Sequence, residues 1–307
     1  MSSIAAPRFP TKELRALLQD AGLPTMPQAT LRIMELASDP FTSLEHVSTA
    51  VATDPALSGR VLGLANSALY SRGTKFETVG RAVSHLGVMR IRSLAMALHL
   101  FSSKPSRQDQ FFNYAWFWRY CLTCAVAAKV IAQREKEVDP DEAFVTALLQ
   151  HIGVLALQQA HPREYARIFD SKARSKVRLH EKELEVWGYD HADVGAAVAA
   201  HWGLPRQIGS AILLHHRPGD HALANLCHFA DLVHAAIYES TEVSVARRAE
   251  QFRAQVRDGD AILLNVEIEL PHIAEACSCP DWTSSTEEEL KERIAQLVGA
   301  DTNVAKL

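Results

Sequence analysis

The chain lacks the common signatures of export, membrane insertion and nucleotide-fuelled chemistry, and it is poor in cysteine and in net charge. Its start, MSSIAAPRFPTKELRALLQD, has no apolar core of the kind that a secretory leader requires. Later apolar runs are broken by polar residues well short of the roughly 20 that span a bilayer. A cytoplasmic protein without a membrane partner is therefore expected. There is no GxxxxGKS/T and no GxGxxG, which excludes the two glycine-rich cradles that hold phosphate against backbone amides. There is no GxSxG, so the strained serine elbow of the common hydrolases is excluded as well.

Five cysteines are an odd and sparse set, which argues against a disulfide framework. Cys121 and Cys124 make a CxxC inside the helical run YCLTCAVAAKVIA and read as small apolar residues on one helix face. Cys277 and Cys279 make a CxC in an irregular stretch. A zinc site joining the two pairs is the alternative, and neither pair enters the functional reading. A formal net charge of -4 leaves no overall electrostatic footprint for nucleic acid, so nucleic acid is not an expected partner.

The composition, 48% hydrophobic and 22% charged, belongs to a folded chain, and 307 residues suffice for two packed helical subdomains. Apolar residues recur at spacings of three and four, and strand-like alternation is scarce, so the fold class is all-α. Helix starts are marked at Asp54-Pro55 and at Asp139-Pro140, where an aspartate can cap free amides and proline suits the first turn.

The spacing predicts helices over 12–20, 27–37, 44–52, 55–68, 81–86 and 88–101, with Gly87 at the last junction. A second block of helices is expected over 112–133, 141–159, 162–169, 180–185, 191–202, 205–214 and 222–238. The polar stretch SSKPSRQDQ at 102–110 separates the blocks. The organisation is then a segment 1–19, a helical subdomain 20–104, a second helical subdomain 105–238 and a C-terminal helical extension 239–307. In that extension, 244–259 and 286–300 read as amphipathic helices, the second opened by Thr286 with Glu289 as a capping box.

Residues 81–101 have the outline of a helix-turn-helix, but VMRIRSLAMALHLF is too apolar to lie in a DNA groove and reads as core. Phe111, Phe112, Tyr114, Trp116, Phe117, Trp118 and Tyr120 cannot all face one way on a helix. One face is expected as core between the subdomains, and the rest as a patch for a partner.

Of fourteen histidines, ten fall in the second block: His151, His161, His180, His191, His201, His215, His216, His221, His228 and His234. With Asp190, Asp193 and Asp231 among them, a helical metal site has to be considered.

The run LPTMPQATLRIMELASDPFTSLEHVSTAVATDPALSGRVLGLANSALYS resembles the opening of an HDOD domain, with its LPxLP and LANSxxY blocks. AVSHLGVMRIRSLAMAL, FWRYCLTCAVAA, DEAFVTALLQHIGVLAL and DHADVGAAVAAHWGLPRQIGSAILLHH continue the likeness in order over roughly residues 20 to 235.

The resemblance implies a degenerate relative of the HD phosphohydrolases, which hold a divalent metal through a histidine, a His-Asp pair and a later aspartate. Tyr120 stands at the first position, Gln150 and His151 at the pair, and Asp231 at the last. A phenol titrating near 10 is a poor ligand at neutral pH. No catalytic residue, cofactor or bound metal is expected on this basis. His191, His215 and His216 match accessory metal histidines of the relatives that degrade cyclic di-GMP, so a relict pocket of His191, His215, His216 and Asp231 is the residual site to examine.

The implied function is a non-catalytic regulator in bacterial signal transduction, connected with cyclic di-GMP signalling. It would act through contacts with signalling proteins, with room for a nucleotide ligand in the relict cleft. The alternative is a metal-dependent phosphohydrolase or cyclic di-GMP phosphodiesterase built from the remaining histidines.

Overall fold

The computed structural model describes residues 27–67, 70–71, 73–101, 112–173, 178–238 and 259–276. Every regular element among them is a helix, as the spacing predicts. In chain order these are α1 (Gln28–Ser38), α2 (Leu44–Ala52), α3 (Pro55–Ala65), α4 (Val79–Leu86), α5 (Val88–Phe101), α6 (Tyr114–Glu135) and α7 (Pro140–Leu149). Then follow α8 (Ile152–Ala160), α9 (Pro162–Ala173), α10 (Leu179–Trp187), α11 (His191–His201), α12 (Arg206–Leu214), α13 (Ala222–Tyr238) and α14 (Gly259–Ala276).

The expected caps are in place. Asp54 Oδ1 accepts from the amides of Ala56 and Leu57 at 2.9 and 3.1 Å. Asp139 Oδ1 accepts from those of Asp141 and Glu142 at 3.0 and 2.9 Å. Each satisfies amides that have no partner within the first turn. Gly87 takes φ 82° between α4 and α5, a left-handed geometry that disfavours a side chain.

Asn66, in the LANS run, ties the following loop back onto α3. Its side-chain amide donates to the carbonyl of Phe76 at 2.8 Å, and its Oδ1 accepts from the Phe76 amide at 2.8 Å. Asn66→Ala should cost about 1–3 kcal/mol, since the part-buried Phe76 backbone loses both partners. Urea denaturation measures this, and an unchanged midpoint would show that the clasp contributes nothing.

In the first block α5 packs on α1, and α4 on α2 and α3. Ile91, Leu94, Ala95, Met96, Ala97 and Leu100 of α5 are buried, as is Arg92, so this helix is core and presents no DNA-reading face. In the second block α6 is the central post, packed by α7, α13 and α14, while α11 packs on α8 and α12. The blocks join where α5 meets α7, and there buried Lys129 donates to the Tyr70 hydroxyl at 3.0 Å. The run Pro140–Ala160 is long and apolar enough to cross a membrane, yet 89% of its most apolar window is buried, so it is core.

Three expectations are corrected. The helix expected over 141–159 is two helices, broken at Gln150 and His151. Apolar spacing runs on through the break, which lies just before the close approach of Gly153 to α11.

The aromatic face of α6 packs mainly within the second block rather than between the blocks. Phe117 and Trp118 are buried and Phe112 meets Phe169 of α9, which leaves Trp116 as the exposed ring. Finally, α14 lies within the expected helical extension but over a stretch to which the spacing assigns no individual helix, and Pro271 lies inside it. Buried Ile262, Val266, Leu270 and Ile273 supply the helical spacing that outweighs the one lost backbone donor. The expected helices at 12–20, 244–258 and 286–300, the linker 102–110, Phe111, Cys277 and Cys279 lie outside the described residues.

Candidate functional site

Helix ends from across the second block meet at one buried point. The α7–α8 break delivers Gln150 and His151, the start of α11 delivers His191, and the chain just past α12 delivers His215 and His216. Asp231 comes from α13, Tyr120 and Cys124 from α6, and Glu183 from α10.

His191 is placed by a capping box. Asp190 Oδ1 accepts from the amides of Ala192 and Asp193 at 2.9 and 3.1 Å, and Asp193 Oδ2 accepts from the Asp190 amide at 3.2 Å. Those two carboxylates cap the helix end, and the Asp190 charge also acts on the His191 ring.

Gly153 lets α8 approach α11 backbone to backbone. A Cβ there would lie 2.0 Å from the His191 carbonyl oxygen and 2.7 Å from the Gly195 nitrogen. This contact is what brings His151 beside His191.

One side of the site gathers on a single oxygen. Asp231 Oδ1 accepts from Tyr120 Oη at 3.0 Å, Gln150 Nε2 at 2.5 Å, His151 Nε2 at 2.9 Å and Cys124 Sγ at 3.6 Å. Burial alone would raise the Asp231 pKa, but the His151 ring and these hydrogen bonds outweigh it and hold the carboxylate well below its usual range. Burial first, and the Asp231 charge next, push the Tyr120 phenol well above 10, so it remains a donor. The same two causes keep the Cys124 thiol protonated.

The other side is a group of imidazoles. His191 Nδ1 lies 2.6 Å from Glu183 Oε2, which also accepts from the His191 amide at 2.9 Å. Glu183 Oε1 accepts from Tyr165 Oη at 2.5 Å. Burial would lower the His191 pKa, but the Glu183 carboxylate more than offsets it and raises the value above 6.5.

His191 Nε2 faces His151 Nδ1 at 3.3 Å and His216 Nε2 at 3.0 Å. His215 Nδ1 lies 2.6 Å from the Ile212 carbonyl oxygen, while its Nε2 is buried with no hydrogen-bond partner. Burial, followed by the crowding of neighbouring imidazoles, pushes His215 and His216 well below 6.5. His180, stacked on His216 with ring centroids 3.9 Å apart, is held down to about 4, chiefly by burial.

The structure thus brings His191, His215, His216 and Asp231 into one cluster and places all three degenerate positions, Tyr120, Gln150 and His151, in it too. Ligand-type atoms of His151, His191 and His215 lie within 4.8 Å of one another, as do those of His215, His216 and Asp231 and those of Cys124, His151 and Asp231. Three of the positions at which the resemblance expects HD ligands differ in donor character from a charged or neutral-imidazole set. The phenol keeps its proton, Gln150 is uncharged, and the one surviving carboxylate already accepts several hydrogen bonds.

Of the other histidines, His234 packs on the Tyr120 ring with centroids 4.1 Å apart and His228 Nδ1 lies 3.2 Å from the His215 carbonyl oxygen, whereas His161 stacks on Trp187 and His221 accepts from the Ala224 amide. Sequence reading misses Glu183, Tyr165 and Gly153, because no motif spacing links them to the histidines.

Comparison with known proteins agrees with this architecture. A solved structure from Shewanella amazonensis SB2B, provisionally named a phosphohydrolase, is 26% identical with TM-score 0.63, over 92% of this chain and 98% of that one. An HDOD domain protein of unknown function from Geobacter sulfurreducens is 23% identical with TM-score 0.64, over 94% and 99% of the two chains. A Marinobacter aquaeolei VT8 structure, provisionally named a signal transduction protein, is 21% identical with TM-score 0.64, over 90% of this chain and 68% of that one.

An uncharacterized protein of Treponema pallidum (strain Nichols) is 23% identical over 211 residues, which are 67% of this chain and 40% of that protein. The match spans less than half the length of that relative. The model of the HDOD domain matches residues 23–218, more than half of the chain and all of the helices that converge on the cluster except α13. The chain therefore belongs to the HDOD domain family.

Proposed function

We propose that the protein is a non-catalytic regulator in signal transduction that acts through contact with other proteins. The observation that carries this reading is the state of Asp231. The carboxylate that an HD hydrolase would give to a hard cation accepts from Tyr120, Gln150 and His151 on one oxygen. Lowering the pKa of a metal-bound water needs a metal held with an open position, and Tyr120 and Gln150 stand where imidazole ligands are expected, a protonated phenol and a neutral amide. A core knitted in this way can hold a surface in one shape, which is what a contact module requires.

A second reading, a phosphohydrolase that uses the remaining histidines, draws support from their gathering at one point and from the name of the Shewanella protein. One experiment separates the two. Full-length protein is assayed against cyclic di-GMP and p-nitrophenyl phosphate with magnesium, manganese, iron(II), nickel and zinc in turn, and cross-linked in its native cells to recover partners.

No turnover together with a reproducible protein partner is the expected result. Turnover that disappears in Asp231→Asn or His215→Ala would overturn the regulatory reading, and so would failure to recover any partner.

A further inference from the structure

We propose that His151, His191 and His215 form a binding site for one borderline divalent metal ion, zinc first, through His151 Nδ1, His191 Nε2 and His215 Nε2. The argument begins with the opposite edge of each ring. Each of the three turns its other nitrogen to an oxygen acceptor: His151 Nε2 to Asp231 Oδ1 at 2.9 Å, His191 Nδ1 to Glu183 Oε2 at 2.6 Å, and His215 Nδ1 to the Ile212 carbonyl at 2.6 Å. In a neutral imidazole an acceptor draws the one N–H to its side, which leaves the lone pair on the inward nitrogen. At His151 the charged Asp231 oxygen outweighs Gln150 Nε2, which lies 3.1 Å from the same nitrogen, and metal binding displaces the second proton of His191. This is the second shell that orients metal-ligating imidazoles, present here for all three.

The inward geometry fits a metal. His151 Nδ1 and His191 Nε2 are 3.3 Å apart, a separation at which two lone pairs repel unless a proton or a metal ion lies between them. Tetrahedral zinc with bonds of about 2.0–2.1 Å holds neighbouring nitrogens roughly 3.3–3.4 Å apart. The buried His215 Nε2 has no hydrogen-bond partner, and one ligand atom from each ring lies within 4.8 Å of the others, so small ring rotations complete the set. His216 Nε2, 3.0 Å from the same His191 atom, borders the fourth position.

Three imidazoles without a carboxylate select zinc, copper or nickel over magnesium or calcium. The site differs from an HD centre in its donors. His151 is a ligand where the resemblance expects an aspartate, and Asp231 stays outside as the acceptor that orients it. Metal binding here does not depend on the regulatory reading, and the two can fail separately.

The test uses full-length protein without a histidine tag, stripped with a chelator and titrated with zinc, cobalt(II) and magnesium chlorides. One equivalent of zinc per chain is expected, with a cobalt spectrum free of thiolate charge transfer, and no magnesium bound. His151→Ala and His215→Ala should each weaken zinc by more than about 100-fold, and Glu183→Gln by about 10–100-fold as an orienting residue. Should the alanine variants fail to fold, His151→Asn and His215→Gln retain ring-sized side chains and are expected to weaken binding in the same way. Folded wild type that takes up no zinc overturns the proposal. So does zinc binding that survives His215→Ala and is lost in Cys124→Ser, because the metal would then sit with Cys124, His151 and Asp231.

Discussion

Glu183→Ala is expected to destabilise the fold by about 3–5 kcal/mol, the usual penalty for removing one partner of a buried ion pair. Glu183 is fully buried and accepts from the His191 ring, the His191 amide and the Tyr165 hydroxyl. Alanine would leave three donors facing one another with no access to water. Because whole domains are stable by only about 5–15 kcal/mol, this single change removes a large share of the margin. Urea denaturation in the presence of chelator measures it, and a loss under about 1 kcal/mol would show that the three donors find other partners.

The same pair sets a pH window. Burial acts to raise the Glu183 pKa, but the charge of His191 first, and the hydrogen bonds from His191 and Tyr165 next, win and hold it below 4.5. Its contribution is therefore fully present above about 4.5, the unfolded value, and fades as pH falls through the depressed one. The His191 pKa is raised above 6.5, so its contribution is fully present below that value and fades as pH rises through the higher one. Metal-free protein should be most strengthened by the pair between roughly pH 4.5 and 6.5. Glu183→Gln should flatten the pH profile of unfolding across both flanks.

Gly153→Ala is the second large effect expected, about 3 kcal/mol, at the upper end of overpacking costs. The atoms that a Cβ would meet are the His191 carbonyl oxygen at 2.0 Å and the Gly195 nitrogen at 2.7 Å, and both belong to the backbone of α11. A side-chain tip could swing aside, but a helix backbone has to move as a unit. The displacement would also part His151 from His191, so zinc affinity should fall together with stability.

Gly59→Ala is the matched control. Gly59 is an exposed position in α3 with nothing within 4 Å of the added carbon, and alanine there should be neutral or stabilising by up to about 1 kcal/mol. Equal effects of the two substitutions would remove the close approach from the account of the site.

Much of the fold is legible in the residues themselves. Period and punctuation locate α2 and α5 to the residue, and the aspartates at 54 and 139 cap α3 and α7 as expected. Local rules fail at two places for one reason. The break at Gln150 and His151 adjoins the close approach of Gly153 to α11, and the proline-bearing α14 buries Ile262, Val266, Leu270 and Ile273, and a window of neighbouring residues contains neither partner surface. The cluster was half legible. His191, His215, His216 and Asp231 could be nominated from the resemblance, whereas His151 looked only like a lost aspartate.

By itself, then, the sequence determined the all-helical class, most helix limits, the family, and the loss of the imidazole donors at Tyr120 and Gln150 and of the aspartate at His151. These are properties of local periodicity and of residue identity, which survive without coordinates. Only the tertiary structure decided that His151, His191 and His215 each turn one ring nitrogen towards a common point, that Glu183 and Asp231 orient two of them, and that Gly153 allows the approach. These depend on ring orientation and on helix ends dozens of residues apart meeting within a few ångströms, a geometry that close packing creates and no spacing along the chain encodes.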